Sequence, residues 1–96
     1  MDKKEDDKDD KKKVKVTLIW GGTGASKEVN VARTDTAGTV FKEVYEKFKQ
    51  TPTDQDAFEV TGQPFAKTEF GATVEQLLQK FGDNLTFEVL PPTSGA

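Results

Sequence analysis

Ninety-six residues, of which 33% are hydrophobic and 32% charged, describe one small domain carrying a polar segment that cannot enter a core. The absence of cysteine excludes a disulfide scaffold, a thiolate nucleophile and Cys-type zinc sites, and the absence of histidine removes the commonest acid/base group and metal ligand. No apolar run approaches the roughly 18 residues that a membrane-spanning helix needs, and the N-terminus alternates Asp with Lys where a signal peptide would be apolar. A binding role in a reducing, cytoplasmic setting, without cofactor, metal or membrane, is the expectation.

Residues 1–13, MDKKEDDKDDKKK, hold six lysines and six acids and read as a disordered polyampholyte, because nothing in them can offset the entropy of ordering. The remaining chain therefore carries the whole formal charge of -3, which makes nucleic acid an unfavourable partner. From Val14 the run VKVTLIW alternates, with Val14, Val16, Leu18 and Trp20 on one face and Lys15, Thr17 and Ile19 on the other. The glycine-rich stretch Gly21–Ser26 turns the chain into KEVNVAR, with Val29 and Val31 inward, and the two runs form a β-hairpin.

Thr34-Asp35-Thr36 offers helix N-caps ahead of Val40, Phe41, Val44, Tyr45 and Phe48, the spacing of one helical face. That helix should stop near Gln50, since Pro52 disfavours helical dihedrals at Thr51 and Thr53-Asp54-Gln55-Asp56 is turn chemistry. AFEVT follows as a strand with Phe58 and Val60 inward and Glu59 outward, then a short edge strand around Phe65–Lys67. Thr73 caps a short helix, with Gln76 in the capping-box position and Leu77, Leu78 and Phe81 as its apolar side, ended by Gly82-Asp83. The last strand, NLTFEVL, points Leu85, Phe87 and Val89 inward and Thr86 and Glu88 outward until Pro91-Pro92 stops the ladder. A long helix laid across one side of a mixed sheet buries these faces, so the fold class is an α+β roll in the order ββαβ(β)αβ.

Three apparent motifs fail on their surroundings. Gly21-Gly22-Thr23-Gly24 with Lys27 lacks the spacing of a phosphate loop and joins two strands instead of opening a helix. Asp35-Thr36-Ala37-Gly38 echoes a GTPase switch sequence, yet a helix N-terminus explains it without a nucleotide cradle. Asp54 and Asp56 could serve acid/base chemistry only if buried beside a cleft, and beside Pro52 they read as a solvated turn.

In this order, the VKVTLIW strand with its glycine-rich turn, the VFKEVYEKF helix, the FEVTG strand ending in glycine, the ATVEQLL short helix and the GDNLTFEVL closing strand resemble the ubiquitin-like branch of the β-grasp fold over 14–90. The charged N-terminal extension is similar to the arrangement of small ubiquitin-like modifiers, and the whole is similar to bacterial ubiquitin-like proteins associated with conjugation-like systems. The resemblance implies a protein modifier that is not itself an enzyme, joined to protein targets by isopeptide bonds through separate activating (adenylating) and transfer enzymes and trimmed by a processing protease. PPTSGA, residues 91–96, contains no residue able to join a core and is expected to be a flexible arm; the resemblance implies that Thr93 and Ser94 give reach and that either Gly95, after removal of Ala96, or Ala96 itself is conjugated. It also implies a departure: the positions matching the apolar sheet patch of ubiquitin are Glu59 and Glu88, so the docking face here calls for basic or polar partners. A non-covalent interaction module is the alternative from another class, and a sulfur carrier is the third reading.

Overall fold

The computed structural model describes residues 13–92. Five strands and two helices follow in the order β1 (Lys13–Trp20), β2 (Ala25–Ala32), α1 (Ala37–Phe48), β3 (Ala57–Val60), β4 (Gln63–Pro64), a 3₁₀ turn (Lys67–Glu69), α2 (Val74–Phe81) and β5 (Thr86–Leu90). The sheet order is β2-β1-β5-β3-β4, with β1 and β5 parallel and every other pair antiparallel. The last strand in the chain therefore lies in the centre of the sheet.

Alternation decides which face is covered. Val16, Leu18 and Trp20 of β1, Val31 of β2, Phe58 and Val60 of β3, and Phe87 and Val89 of β5 are buried under α1, whose Ala37, Val40, Phe41, Val44 and Tyr45 face them. Phe41 is the hub, with Phe58 and Phe87 set edge-on to its ring at 4.9 and 5.2 Å and Phe70 stacked at 5.2 Å. Val14, Val29, Phe48 and Phe81, expected inward, are only partly buried, because they lie at the ends of the layers where less structure covers them.

The N-terminus of α1 is capped by Thr36, whose side chain accepts from the Thr39 N–H, and Ala37 N–H and Gly38 N–H donate to the carbonyls of Ala72 and Phe70. The arrangement is reciprocal. Thr73 caps α2 in a full capping box with Gln76, while Val74 N–H and Glu75 N–H donate to the carbonyls of Asp35 and Arg33. The two caps, Thr36 and Thr73, form an antiparallel bridge with each other. α1 ends at Phe48, just short of the expected Gln50, because Lys49 turns left-handed (φ 56°) and Gln50 N–H closes onto the Tyr45 carbonyl.

Two expectations need correction. The strand after β3 occupies Gln63–Pro64 and not Phe65–Lys67: Thr61 (φ 51°) and Gly62 (φ 78°) form a two-residue hairpin turn, so pairing resumes at once as Val60↔Gln63 and Glu59↔Pro64. Phe65 is then buried and Lys67 begins the 3₁₀ turn. Asp56 is likewise no solvated turn residue; it is 7% exposed and fully bonded, as described below. β1 starts at Lys13, which pairs with Ala32.

Thr61 is a β-branched residue held in the left-handed region, which costs an ordinary L-residue roughly 1–2 kcal/mol. Thr61→Asn creates the Asn-Gly pair that such turns favour and should raise stability by about 1 kcal/mol in urea unfolding. An unchanged or lower midpoint would show that the threonine side chain contributes to the turn.

Candidate functional site

The uncovered face of the sheet is the candidate docking surface. Strand register draws one line across it, Ser26–Ile19–Glu88–Glu59–Pro64, with Ile19 opposite Ser26 on one side and Glu88 on the other. Glu59 and Glu88 are direct cross-strand partners at the centre of this line. Sequence spacing placed both on the outer face but could not show that they meet, because that depends on the pairing of β3 with β5. Both are half-buried, and among the described residues neither joins an ion pair. The nearby pair Lys15–Glu28, at 3.9 Å, belongs to the β1–β2 end of the face and is well exposed. Two carboxylates set opposite each other repel, so the sheet retains unbalanced negative charge beside half-buried Ile19. A cationic partner group would relieve it.

The second element of the site is the place where the chain leaves the domain. β5 ends at Leu90, and Pro91-Pro92 follow outside the ladder, where their missing N–H groups end strand pairing. Gly21 N–H donates to the Val89 carbonyl at 2.7 Å, tying the β1–β2 turn to this exit. Thr93, Ser94, Gly95 and Ala96 lie outside the described residues, as do residues 1–12 of the charged N-terminal segment.

A buried polar cluster underlies the region and was not foreseen from the sequence. The Tyr45 hydroxyl, on α1, donates to Asp56 Oδ2, and Asp56 also accepts from the Thr53 N–H at 3.0 Å and the Thr53 hydroxyl at 2.8 Å. Tyr45 in turn meets Trp20 edge-on at 5.8 Å between ring centres. A tyrosine on the apolar face of a helix needs a partner for its hydroxyl, and the acid at the mouth of β3 was the available signal. Burial pushes the Asp56 carboxyl up, but the hydrogen bonds from Tyr45 and Thr53 and the charge of Lys67 outweigh it, and the net direction is down. The Tyr45 phenol is pushed well up by burial, then by its bond to Asp56 and by that residue's charge. A carboxylate held ionised at neutral pH by its own loop and by the Tyr45 hydroxyl of α1 is a structural clasp. Among the described residues no group of three or more acidic side chains could hold a metal, and no helix is long and apolar enough to cross a membrane.

Comparison with known proteins agrees with this geometry. No family model and no curated protein matches the sequence. Among solved structures, ubiquitin from Caldiarchaeum subterraneum superposes with a TM-score of 0.64 at 25% identity, over 88% of this chain and 99% of that one. A structure described as molecular mimicry of SUMO that promotes DNA repair superposes with a TM-score of 0.58 at 11% identity, over 83% of this chain and 92% of the other, a likeness of fold alone. With its mixed five-stranded sheet grasping one long helix and a second short helix ahead of the central β5, the chain has the ubiquitin-like β-grasp fold.

Two outcomes follow from the charges. Asp56, lowered in the folded state, stabilises the fold above its unfolded value of about 4 and loses that contribution as pH falls further; Tyr45, raised in the folded state, contributes fully below about pH 10 and loses its share as pH rises beyond. Thermal unfolding of Asp56→Asn should therefore show a lower Tm at pH 7 and a flatter decline below pH 4 than the parent chain; parallel acid limbs would remove Asp56 from the account. Glu88→Gln should raise stability by about 0.2–1 kcal/mol at low salt by ending the repulsion with Glu59, with the gain shrinking in molar salt. A loss on substitution would mean that the two carboxylates are held by a partner group.

Proposed function

We propose that this protein is a ubiquitin-like modifier whose C-terminal carboxyl is adenylated by an activating enzyme and passed, through a transfer enzyme, to a lysine amine or another nucleophile on protein targets. It is a cytoplasmic substrate of this chemistry and not a catalyst. The observation that carries the reading is the way the fold closes: β5 completes the centre of the sheet at Leu90 and the chain leaves it through Pro91-Pro92 toward Thr93-Ser94-Gly95-Ala96. Residues without bulk suit passage through a narrow enzyme channel. In this reading a processing protease removes Ala96, Gly95 forms the isopeptide bond, and Thr93 and Ser94 supply reach. Glu59 and Glu88 offer the docking face for activating or transfer enzymes and receptors, which would present basic side chains to it.

A second reading, a non-covalent subunit or adaptor, is favoured by one observation: the Glu59–Glu88 couple, without an ion pair among the described residues, would serve a docking role with no covalent step. The two readings part on the arm. A chain lacking residues 91–96 keeps its partners if it is a module and loses its function if it is a modifier.

Gly95→Leu should abolish conjugates in the native host while leaving the Tm unchanged, because residue 95 follows the last core strand and its prolines. Intact-mass measurement and C-terminal peptide sequencing of the purified protein and its adducts read both the trimming and the joined residue. Conjugates that persist in Gly95→Leu, joined elsewhere, would remove Gly95 from the role.

A further inference from the structure

The β1–β2 turn contains three glycines, and only one of them is explained by its own backbone. Gly24 has φ 79°, a left-handed conformation that favours glycine, and open space around it. Gly21 and Gly22 are not among the described residues of positive φ, so their dihedrals would accept a side chain. What crowds one is neighbouring structure, the chain's exit at both positions and the Trp20 indole at Gly22. A methyl group on Gly21 would stand 2.7 Å from Leu90 Cδ2 and 2.8 Å from the Val89 carbonyl oxygen, the same oxygen that accepts the Gly21 N–H. A methyl group on Gly22 would stand 3.0 Å from Trp20 Nε1 and 3.2 Å from Pro91 Cγ. The turn is thus pressed against β5's last residues and against the first residue beyond it.

We propose that Gly21 and Gly22 are positioning residues that, with the Trp20 indole, form a collar around Leu90–Pro91 and set the direction in which the C-terminal arm leaves the domain. The two glycines divide the task. Gly21 allows the turn to reach the backbone of β5 and hold Val89 by a hydrogen bond, so enlarging it must move main chain. Gly22 leaves a gap that Pro91 fills, so enlarging it meets two side groups of unequal freedom. Trp20 is 7% exposed and held edge-on by Tyr45, which is itself fixed to Asp56; Pro91 lies at the root of the arm and is the one that yields. Pro91 and Pro92 then carry the imposed direction outward, since two successive prolines have restricted φ and resist bending. Positioning at the root matters because the direction in which a short arm leaves the domain sets how often its end is presented in a reactive orientation. The functional part of this inference rests on the modifier reading; the geometric part does not.

The test uses the full-length chain and four variants: Gly22→Ala, Pro91→Gly, their combination, and Gly62→Ala as a turn variant at the other end of the sheet, where an added methyl meets nothing within 4 Å. Two readouts are independent of conjugation. Trp20 is the only tryptophan, so its emission and indole N–H resonance report the collar, and Thr93 carries the first N–H after the two prolines, so its heteronuclear NOE reports the arm's restriction. Gly22→Ala and Pro91→Gly should each shift the Trp20 signals and lower the Thr93 NOE with little change in Tm, and the combination should add nothing to either single change. Gly62→Ala, strained at φ 78°, should lower the Tm and leave both signals in place. Conjugate yield in the native host should fall about tenfold or more in Gly22→Ala. Unmoved Trp20 and Thr93 signals in Gly22→Ala overturn the collar, whatever happens to conjugation. Shifted signals with full conjugate yield overturn its positioning role, whereas a parent chain that forms no conjugates overturns the modifier reading and leaves the collar to be judged by the two spectroscopic signals alone.

Discussion

The reciprocal capping of the two helices is the constraint from which the rest of the architecture hangs. A helix begins with N–H groups that have no partner within it, and here two helices solve the problem with each other's lead-in chain. The Ala72 and Phe70 carbonyls receive Ala37 and Gly38, the Asp35 and Arg33 carbonyls receive Val74 and Glu75, and Thr36 bridges Thr73 between them. Arg33 and Glu75 add a 3.0 Å ion pair on the outside, which is exposed and adds little. Fixing α2 against the start of α1 brings the segment 65–74 under the sheet's end. Phe70 can then stack on Phe41, and Gly38 admits it closely, since an added methyl there would lie 3.3 Å from the Phe70 ring.

The polar clasp does for the far end of α1 what mutual capping does for its beginning. Tyr45 bonds Asp56, Asp56 gathers the Thr53 amide and hydroxyl, and the stretch from Lys49 to Asp56 is pinned although it contains no regular element. An apolar residue at 45 would pack as well but would leave Asp56 buried with one partner fewer. Through its edge-on contact with Trp20 the clasp also steadies the indole that, with Pro91, borders Gly22. The helix, the loop and the chain's exit thus form one mechanical path.

Local pattern made most of this legible. The alternation in VKVTLIW and NLTFEVL, the helical spacing from Val40 to Phe48, and the Thr73–Gln76 capping box each act over a few residues and reappear in the structure as β1, β5, α1 and α2. What stayed hidden depends on tertiary neighbours. The strand at Gln63–Pro64 follows from the left-handed pair Thr61-Gly62, and threonine gives no warning of that conformation. The burial of Asp56 follows from a hydroxyl eleven residues earlier. At the candidate site, the outward direction of Glu59 and Glu88 was visible, while their direct opposition required knowing which strands pair.

The central place of β5 bears on how such a chain is made. Synthesis delivers β1 and β2 first, and that hairpin can form early from neighbouring residues, but β1 and β3 are joined in the sheet only when β5 arrives between them. A nascent chain that has not yet released Leu90 from the ribosome holds two unjoined half-sheets, each with an open edge where β5 belongs. Folding therefore completes only after nearly the whole domain has been translated. The strand that closes the sheet is also the one that leads straight into the arm, so an intact exit is displayed only by a molecule whose core is finished.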